Sequence, residues 1–127
     1  MTRKAHCCCG ACSIEVEGEP VLNAICHCSN CKRRTGSAFG WSAYFAEEVV
    51  QIVGKAVTYL PEAGTGERHF CPDCGTTLYW RSSGLPELIG VAGGAFVETP
   101  LPEPTASYRD SKSCAWVTLP NAWERKG

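Results

Sequence analysis

The chain has no run of about 18 apolar residues, so no membrane-spanning helix is expected. It has almost no surplus of charge: 12 basic against 13 acidic side chains leave a formal −1. That balance gives no bulk attraction to nucleic acid or to a membrane surface, and no nucleic-acid partner is expected. Its first residues, Met1 to Cys7, carry charge without an apolar stretch. They do not read as a signal peptide, and the expected compartment is the cytoplasm. No segment repeats with a fixed period, and no long amphipathic helix is present, which argues against helical bundles and solenoids.

What the chain does have is cysteine, ten in 127 residues. That length fits a single domain over residues 1–127 and buries a core without disulfides. In an exported chain so much cysteine would suggest a disulfide framework; in a cytoplasmic one it suggests metal or catalysis. The C-x-C and C-x-x-C clusters, without an export signal, favour metal.

Short strands should make up most of the fold. Cys12 to Glu17 alternates apolar and polar residues, the period of a half-buried strand. Val21 to Ile25 is a short apolar run that leads into Cys26-His27-Cys28-Ser29-Asn30-Cys31. Ser29 to Arg34 fits one helical turn, with Ser29 as cap and Gly36 closing it. Gly40 to Phe45, Val49 to Val53 and Ala56 to Leu60 read as strands. Pro61 to Gly66 reads as a turn-rich loop. Glu67 to Phe70 and Thr76 to Arg81 flank Cys71-Pro72-Asp73-Cys74-Gly75 as a hairpin, and Glu87 to Ala92 is a further strand. Pro100, Pro102 and Pro104 mark an extended surface segment, and Tyr108 to Trp123 shows no regular pattern.

Cys71 and Cys74 have the spacing of a zinc knuckle: two intervening residues let both thiolates reach one metal, and Gly75 tolerates the tight turn. A thioredoxin-like redox pair is the alternative, but it needs a βαβ context that is absent. The second pair of ligands comes from Cys7-Cys8-Cys9-Gly10-Ala11-Cys12, as Cys7 with Cys9 or as Cys9 with Cys12. Cys9-Gly10 mirrors Cys74-Gly75, and Cys12 shares strand parity with Ile14 and Val16, so it should face the core. Cys7, Cys9, Cys71 and Cys74 would then close a structural site joining the two halves of the chain.

Cys26, Cys28 and Cys31 are left without an evident fourth ligand. Three protein ligands and an open position describe a reactive zinc site. Cys114 could instead close it, a reversible disulfide could form among the three thiols, and His69 more naturally sits beside the knuckle. His27, between two ligands, would have to point back to bind metal and is expected to be exposed. A zinc with three thiolates carries a net −1 and is a poor generator of hydroxide. It can still hold an incoming thiol as thiolate, favouring thiol addition to an aldehyde over hydrolysis. Lys32, Arg33, Arg34 and Arg68 could hold the carboxylates of a peptide-like thiol, or lie solvated. Trp41, Tyr44 and Phe45 suit a core better than a pocket wall.

The order C-x-C-G, C-H-C-x-x-C and R-x-F-C-x-x-C-G, from Cys7 to beyond Thr77, resembles the glutathione-dependent formaldehyde-activating enzyme family, which also includes centromere protein V. The resemblance implies a mainly β, Mss4-like fold with several small antiparallel sheets arranged around zinc–cysteine sites. It implies two zinc ions per chain: a structural one on Cys7, Cys9, Cys71 and Cys74, and a catalytic, labile one on Cys26, Cys28 and Cys31. The implied activity is S-(hydroxymethyl)glutathione synthesis from formaldehyde and glutathione, a carbon–sulfur lyase in the reverse sense. Cys8 and Cys12 depart from the first motif of that family. A non-catalytic, zinc-scaffolded binding module for a protein or nucleic acid is the rival expectation, and a thiol redox sensor a third.

Overall fold

The computed structural model describes residues 1–61 and 66–127. β1 (Thr2–His6), β2 (Ser13–Glu17) and β5 (Val50–Val53) form a three-stranded antiparallel sheet in the order β1-β2-β5. An eight-stranded sheet runs β11-β10-β3-β4-β9-β8-β7-β6. Its members are β3 (Leu22–Cys26), β4 (Gly40–Ala46), β6 (Val57–Tyr59), β7 (Gly66–Phe70), β8 (Thr77–Ser82), β9 (Leu88–Ala92), β10 (Ala106–Tyr108) and β11 (Glu124–Lys126). The fold is mainly β, as expected, and every pairing is antiparallel except the two that β10 makes, with β3 and β11. None of the helices among the described residues is long and apolar enough to cross a membrane.

Period-two alternation gives the large sheet two different faces. Ala43 and Phe45 of β4 are fully buried and stand opposite Val91 and Ile89 of β9. They meet Ile14 and Val16 of the small sheet in one core that also takes in Cys7, Cys12 and Cys71. The alternate residues Ser42 and Tyr44 face the other way, opposite Ala24 and Leu22 of β3, and line a cavity. One strand therefore supplies both the core and the floor of the candidate site.

Several local expectations are revised. The strands read at Val49–Val53 and Ala56–Leu60 exist but belong to different sheets, the chain turning away at Gly54 (φ 90°). The loop read over Pro61 to Gly66 lies outside the described residues at 62–65, and Gly66 opens β7. The one α-helix among the described residues, α1 (Ser29–Thr35), is capped by Cys28 rather than Ser29, with the Cys28 sulfur accepting the Cys31 amide at 3.3 Å. Gly36 closes it in the left-handed region at φ 66°, as expected.

The proline segment, expected at the surface, exposes Pro100 and Pro102 but is tied to the body of the fold. Leu101 and Pro104 are buried, and the Pro100 and Pro102 carbonyls accept from Arg3 and Asn23 at 3.2 and 2.8 Å. The tail read as irregular, Tyr108 to Trp123, holds only the last residue of β10 and ends just before β11, each strand three residues long. Strands that short have little periodicity of their own; β3 defines β10, and β10 defines β11.

Gly90 faces Trp80 across the β8–β9 pair, and a Cβ there would lie 2.2 Å from the indole nitrogen. That nitrogen donates to the Tyr44 hydroxyl at 3.1 Å, so the ring is not free to move aside. Gly90→Ala should lower stability by about 1–3 kcal/mol, the usual cost of overpacking, read as a lower midpoint in thermal or denaturant unfolding.

Candidate metal centres and the adjoining cavity

Two tight turns of the same design build the first cysteine cluster. After β1, Gly10 (φ 82°) donates its amide to the Cys7 carbonyl at 3.1 Å; after β7, Gly75 (φ 80°) does the same to Cys71 at 2.8 Å. Left-handed backbone at both positions explains why each turn carries glycine. The turns face one another, and the sulfurs of Cys7, Cys9, Cys71 and Cys74 all lie within 4.8 Å of one another. Cys7 and Cys71 are buried and Cys9 and Cys74 are exposed, so the cluster sits at the rim of the core. The Thr76 hydroxyl and amide, with further bonds from Cys9, hold the Cys74 thiol down to about 5. Four sulfurs and no carboxylate make a soft donor set that suits tetrahedral zinc.

Cys12 stays out of this group and faces the core. Burial raises its thiol to about 11, and the thiol donates to the Lys55 carbonyl at 2.6 Å. Cys8 is exposed and only its amide is engaged, with Thr76 Oγ1 at 3.1 Å.

The second cluster is local. β3 ends on Cys26, Cys28 caps α1 and Cys31 lies in its first turn, bringing three half-buried sulfurs within 4.8 Å of one another. The hydrogen bond from Cys31, ahead of the Cys28 bonds and the His27 charge, brings the Cys26 thiol down to about 5 despite burial; the same bond drives the Cys31 thiol up. One sulfur is thus ready as thiolate while its neighbour keeps a proton that a cation would displace. Among the described residues, neither Cys114 nor any histidine joins this group. His69 instead stacks on Tyr79 with ring centres 4.4 Å apart, and its ring nitrogens meet Glu67 and Thr58 at 3.2 and 3.3 Å.

His27 is a correction. Expected at the surface, it is fully buried, with Nε2 2.9 Å from Ser107 Oγ and its ring edge-on to Phe39. β10 creates that environment, and β10 had no recognisable pattern of its own.

A cavity of about 560 Å³ opens beside the second cluster, with Cys26 and Cys31 in its wall. Leu22, Ala24 and Ile25 give it an apolar floor, and Tyr44 and Trp80 an aromatic side. Among the described residues, five cationic side chains reach it (Arg34, Arg68, Arg81, Arg109 and Lys126) against one acidic side chain, Glu67. Arg81 and Lys126 are already paired, with Glu47 at 2.7 Å and Glu124 at 3.2 Å. Arg34 lies flat over the Trp80 ring, 4.2 Å from its centre. It gets there by crossing Gly40, where any Cβ would stand 2.5 Å from the guanidinium. Arg68 is held by the Asn30 carbonyl oxygen and lies over Tyr59.

Of the residues picked out from sequence, Arg34, Arg68 and Tyr44 line the cavity, and Phe45 is core. Trp41 packs against the core and donates to Asn23 Oδ1 at 2.7 Å. Trp80, Arg81, Arg109 and Lys126 went unrecognised, because each arrives from far along the chain and no local motif marks it.

Comparison with known proteins finds relatives of the chain in sequence and in fold. A protein of Fusarium vanettenii named "Putative glutathione-dependent formaldehyde-activating enzyme" is 30% identical over 82 residues, 61% of this chain. The match spans only 44% of that relative's length. A crystal structure of a Rhodobacter sphaeroides protein superposes with a TM-score of 0.60 at 27% identity, covering 75% of this chain and 88% of that one. The sequence profile described as "Glutathione-dependent formaldehyde-activating enzyme" matches residues 2–111, nearly the whole chain. The chain therefore belongs to the glutathione-dependent formaldehyde-activating enzyme family.

Proposed function

We propose that this protein is a zinc-dependent carbon–sulfur lyase that joins a small anionic thiol, of the glutathione type, reversibly to an aldehyde such as formaldehyde. The observation that carries the reading is the wall shared by a three-sulfur cluster and a cation-lined cavity. Cys7, Cys9, Cys71 and Cys74 hold a structural zinc, and Cys26, Cys28 and Cys31 a catalytic one. A zinc on three thiolates supplies a position at which an incoming thiol loses its proton near neutral pH.

The chain's own residues bind and orient the substrate. Strand order puts the cations on both flanks of a neutral floor: Arg109 and Lys126 come from the β10–β11 side, Arg68 and Arg81 from the β7–β8 side. β10 and β8 are separated by β3, β4 and β9, roughly 19 Å along the sheet at about 4.8 Å per spacing. Long side chains reaching inward from both flanks suit a ligand with a carboxylate at each end and its thiol between them, as in a γ-glutamyl tripeptide. The thiol sulfur adds to the carbonyl carbon, the carbon–oxygen π pair moves to oxygen, and that oxygen takes a proton from solvent. Apolar Leu22, Ala24 and Ile25 limit competing water at the reacting end.

A non-catalytic binding module remains the second reading. It would be favoured by a closed second site, and Cys114 lies outside that cluster.

Two variants separate the roles. Cys28→Ser should abolish thiol–aldehyde turnover, leave one zinc per chain by metal analysis and keep the circular-dichroism spectrum. Cys71→Ser should instead lower the unfolding midpoint of the whole protein; the opposite pattern would reverse the assignment of the two clusters. Arg34→Ala should raise KM for a dicarboxylate thiol about tenfold or more, roughly the worth of one charge-assisted hydrogen bond, and leave KM for an uncharged thiol near its original value.

A further inference from the structure

His27, Ser107 and Asp110 form a chain of hydrogen bonds, running from the buried His27 to the partly exposed Asp110, directly behind the second cysteine cluster. Ser107 Oγ donates to Asp110 Oδ1 at 2.7 Å, so it can only accept from His27, whose Nε2–H lies 2.9 Å away. His27 and Ser107 are both fully buried, and Asp110 is anchored in turn by Arg125 at 3.4 Å. The His27 backbone amide also donates to the Tyr108 carbonyl at 3.0 Å. Residue 27 is therefore attached to β10 at two points, main chain and side chain.

That double attachment has a geometric consequence for its neighbours. β3 extends through Cys26, and Cys28 keeps extended backbone (φ −65°, ψ 158°). In extended backbone alternate side chains point to opposite sides. With the imidazole turned inward against Ser107, the Cys26 and Cys28 sulfurs are turned together to the other side, toward Cys31, and Cys26 and Cys31 line the cavity. Tyr108 and Arg109, which follow Ser107 directly, line that same cavity. The chain thus joins the sulfur cluster to one flank of the substrate wall.

We propose that His27 is a positioning residue: locked by Ser107 and Asp110, it aims Cys26 and Cys28 at a shared metal and fixes their distance from the Tyr108–Arg109 wall. The role needs no proton transfer. It rests on the reading of Cys26, Cys28 and Cys31 as a zinc site, and it concerns residues outside the ligand set. Partners that orient metal ligands in this way typically change metal affinity 10–100-fold when removed.

Zinc release from the loaded full-length protein, followed with a chromophoric chelator, tests it without an activity assay. The wild type should release one zinc quickly and one slowly. Ser107→Ala and Asp110→Ala should accelerate the fast phase about tenfold or more and leave the slow phase unchanged, whereas Asp110→Asn, whose oxygen still accepts the Ser107 hydroxyl, should stay within about twofold of wild type. Asp110 is partly exposed, so its variants keep the test open if Ser107→Ala folds poorly. Cobalt substitution should show altered ligand-field bands in the two alanine variants only. An unchanged fast phase, or equal acceleration of both phases, overturns the positioning role while leaving the zinc reading intact. A wild type that binds a single zinc overturns the zinc reading itself, and the positioning role with it.

Discussion

The convergence of Cys7 and Cys9 with Cys71 and Cys74 is the constraint on which the rest of the structure depends. All four sulfurs stand within 4.8 Å of one another, brought there from opposite sheets. Two thiolates about 4 Å apart repel by roughly 4 kcal/mol at an effective dielectric of 20, and four of them would repel in every pair. Such a group is stable only if protons or a cation neutralise it. The turns are preformed by glycines in left-handed backbone, so little chain entropy remains to be lost when a cation binds. Because Cys7 and Cys71 also belong to the apolar core, the sulfur cluster and the packing of the two sheets act as a single unit.

From that junction the large sheet extends outward, and its alternation decides what lies on each side. Ala43 and Phe45 seal the core while Ser42 and Tyr44 floor the cavity, so a one-residue slip of β4 would exchange the two and destroy both. The cavity's charge depends on the same topology. Arg34 belongs to α1 and reaches Trp80 of β8 only because Gly40 leaves room; Arg109 and Lys126 are brought in by the parallel pairs at β10.

What could be read from the sequence follows the range of the interactions involved. The clusters were legible because ligand spacing is a local property: C-x-C and C-x-x-C state how many residues a turn needs to present two sulfurs to one point. Ser13–Glu17 showed in its alternation and Gly40–Ala46 in its aromatics, whereas β1 (Thr2–His6), with Arg3 and Lys4 inside it, went unrecognised. β10 and β11 did not show either, because β10 is defined by β3, some 80 positions earlier, and β11 in turn by β10. The mistake over His27 has the same origin. Between two ligands it looked like a residue turned to solvent, since nothing nearby reveals that Ser107 waits behind it. The Ser29 cap failed for a chemical reason instead: the sulfur of Cys28 accepts the Cys31 amide that a serine hydroxyl was expected to take.

The two clusters differ in how their ligands reach them, and that difference bears on their chemistry. The first takes two sulfurs from each of two distant turns, so a cation held there would tie the two sheets together. The second takes all three sulfurs from the six residues Cys26 to Cys31, at a strand end and the first turn of a short helix. Emptying it leaves the pairing of β3 with β4 and β10 in place. A site whose occupancy is not needed to hold the sheets together can exchange a ligand without unfolding the protein, which is what a reactive centre requires. The buried group that keeps its geometry has to come from elsewhere in the chain, and His27 with Ser107 and Asp110 fills that place.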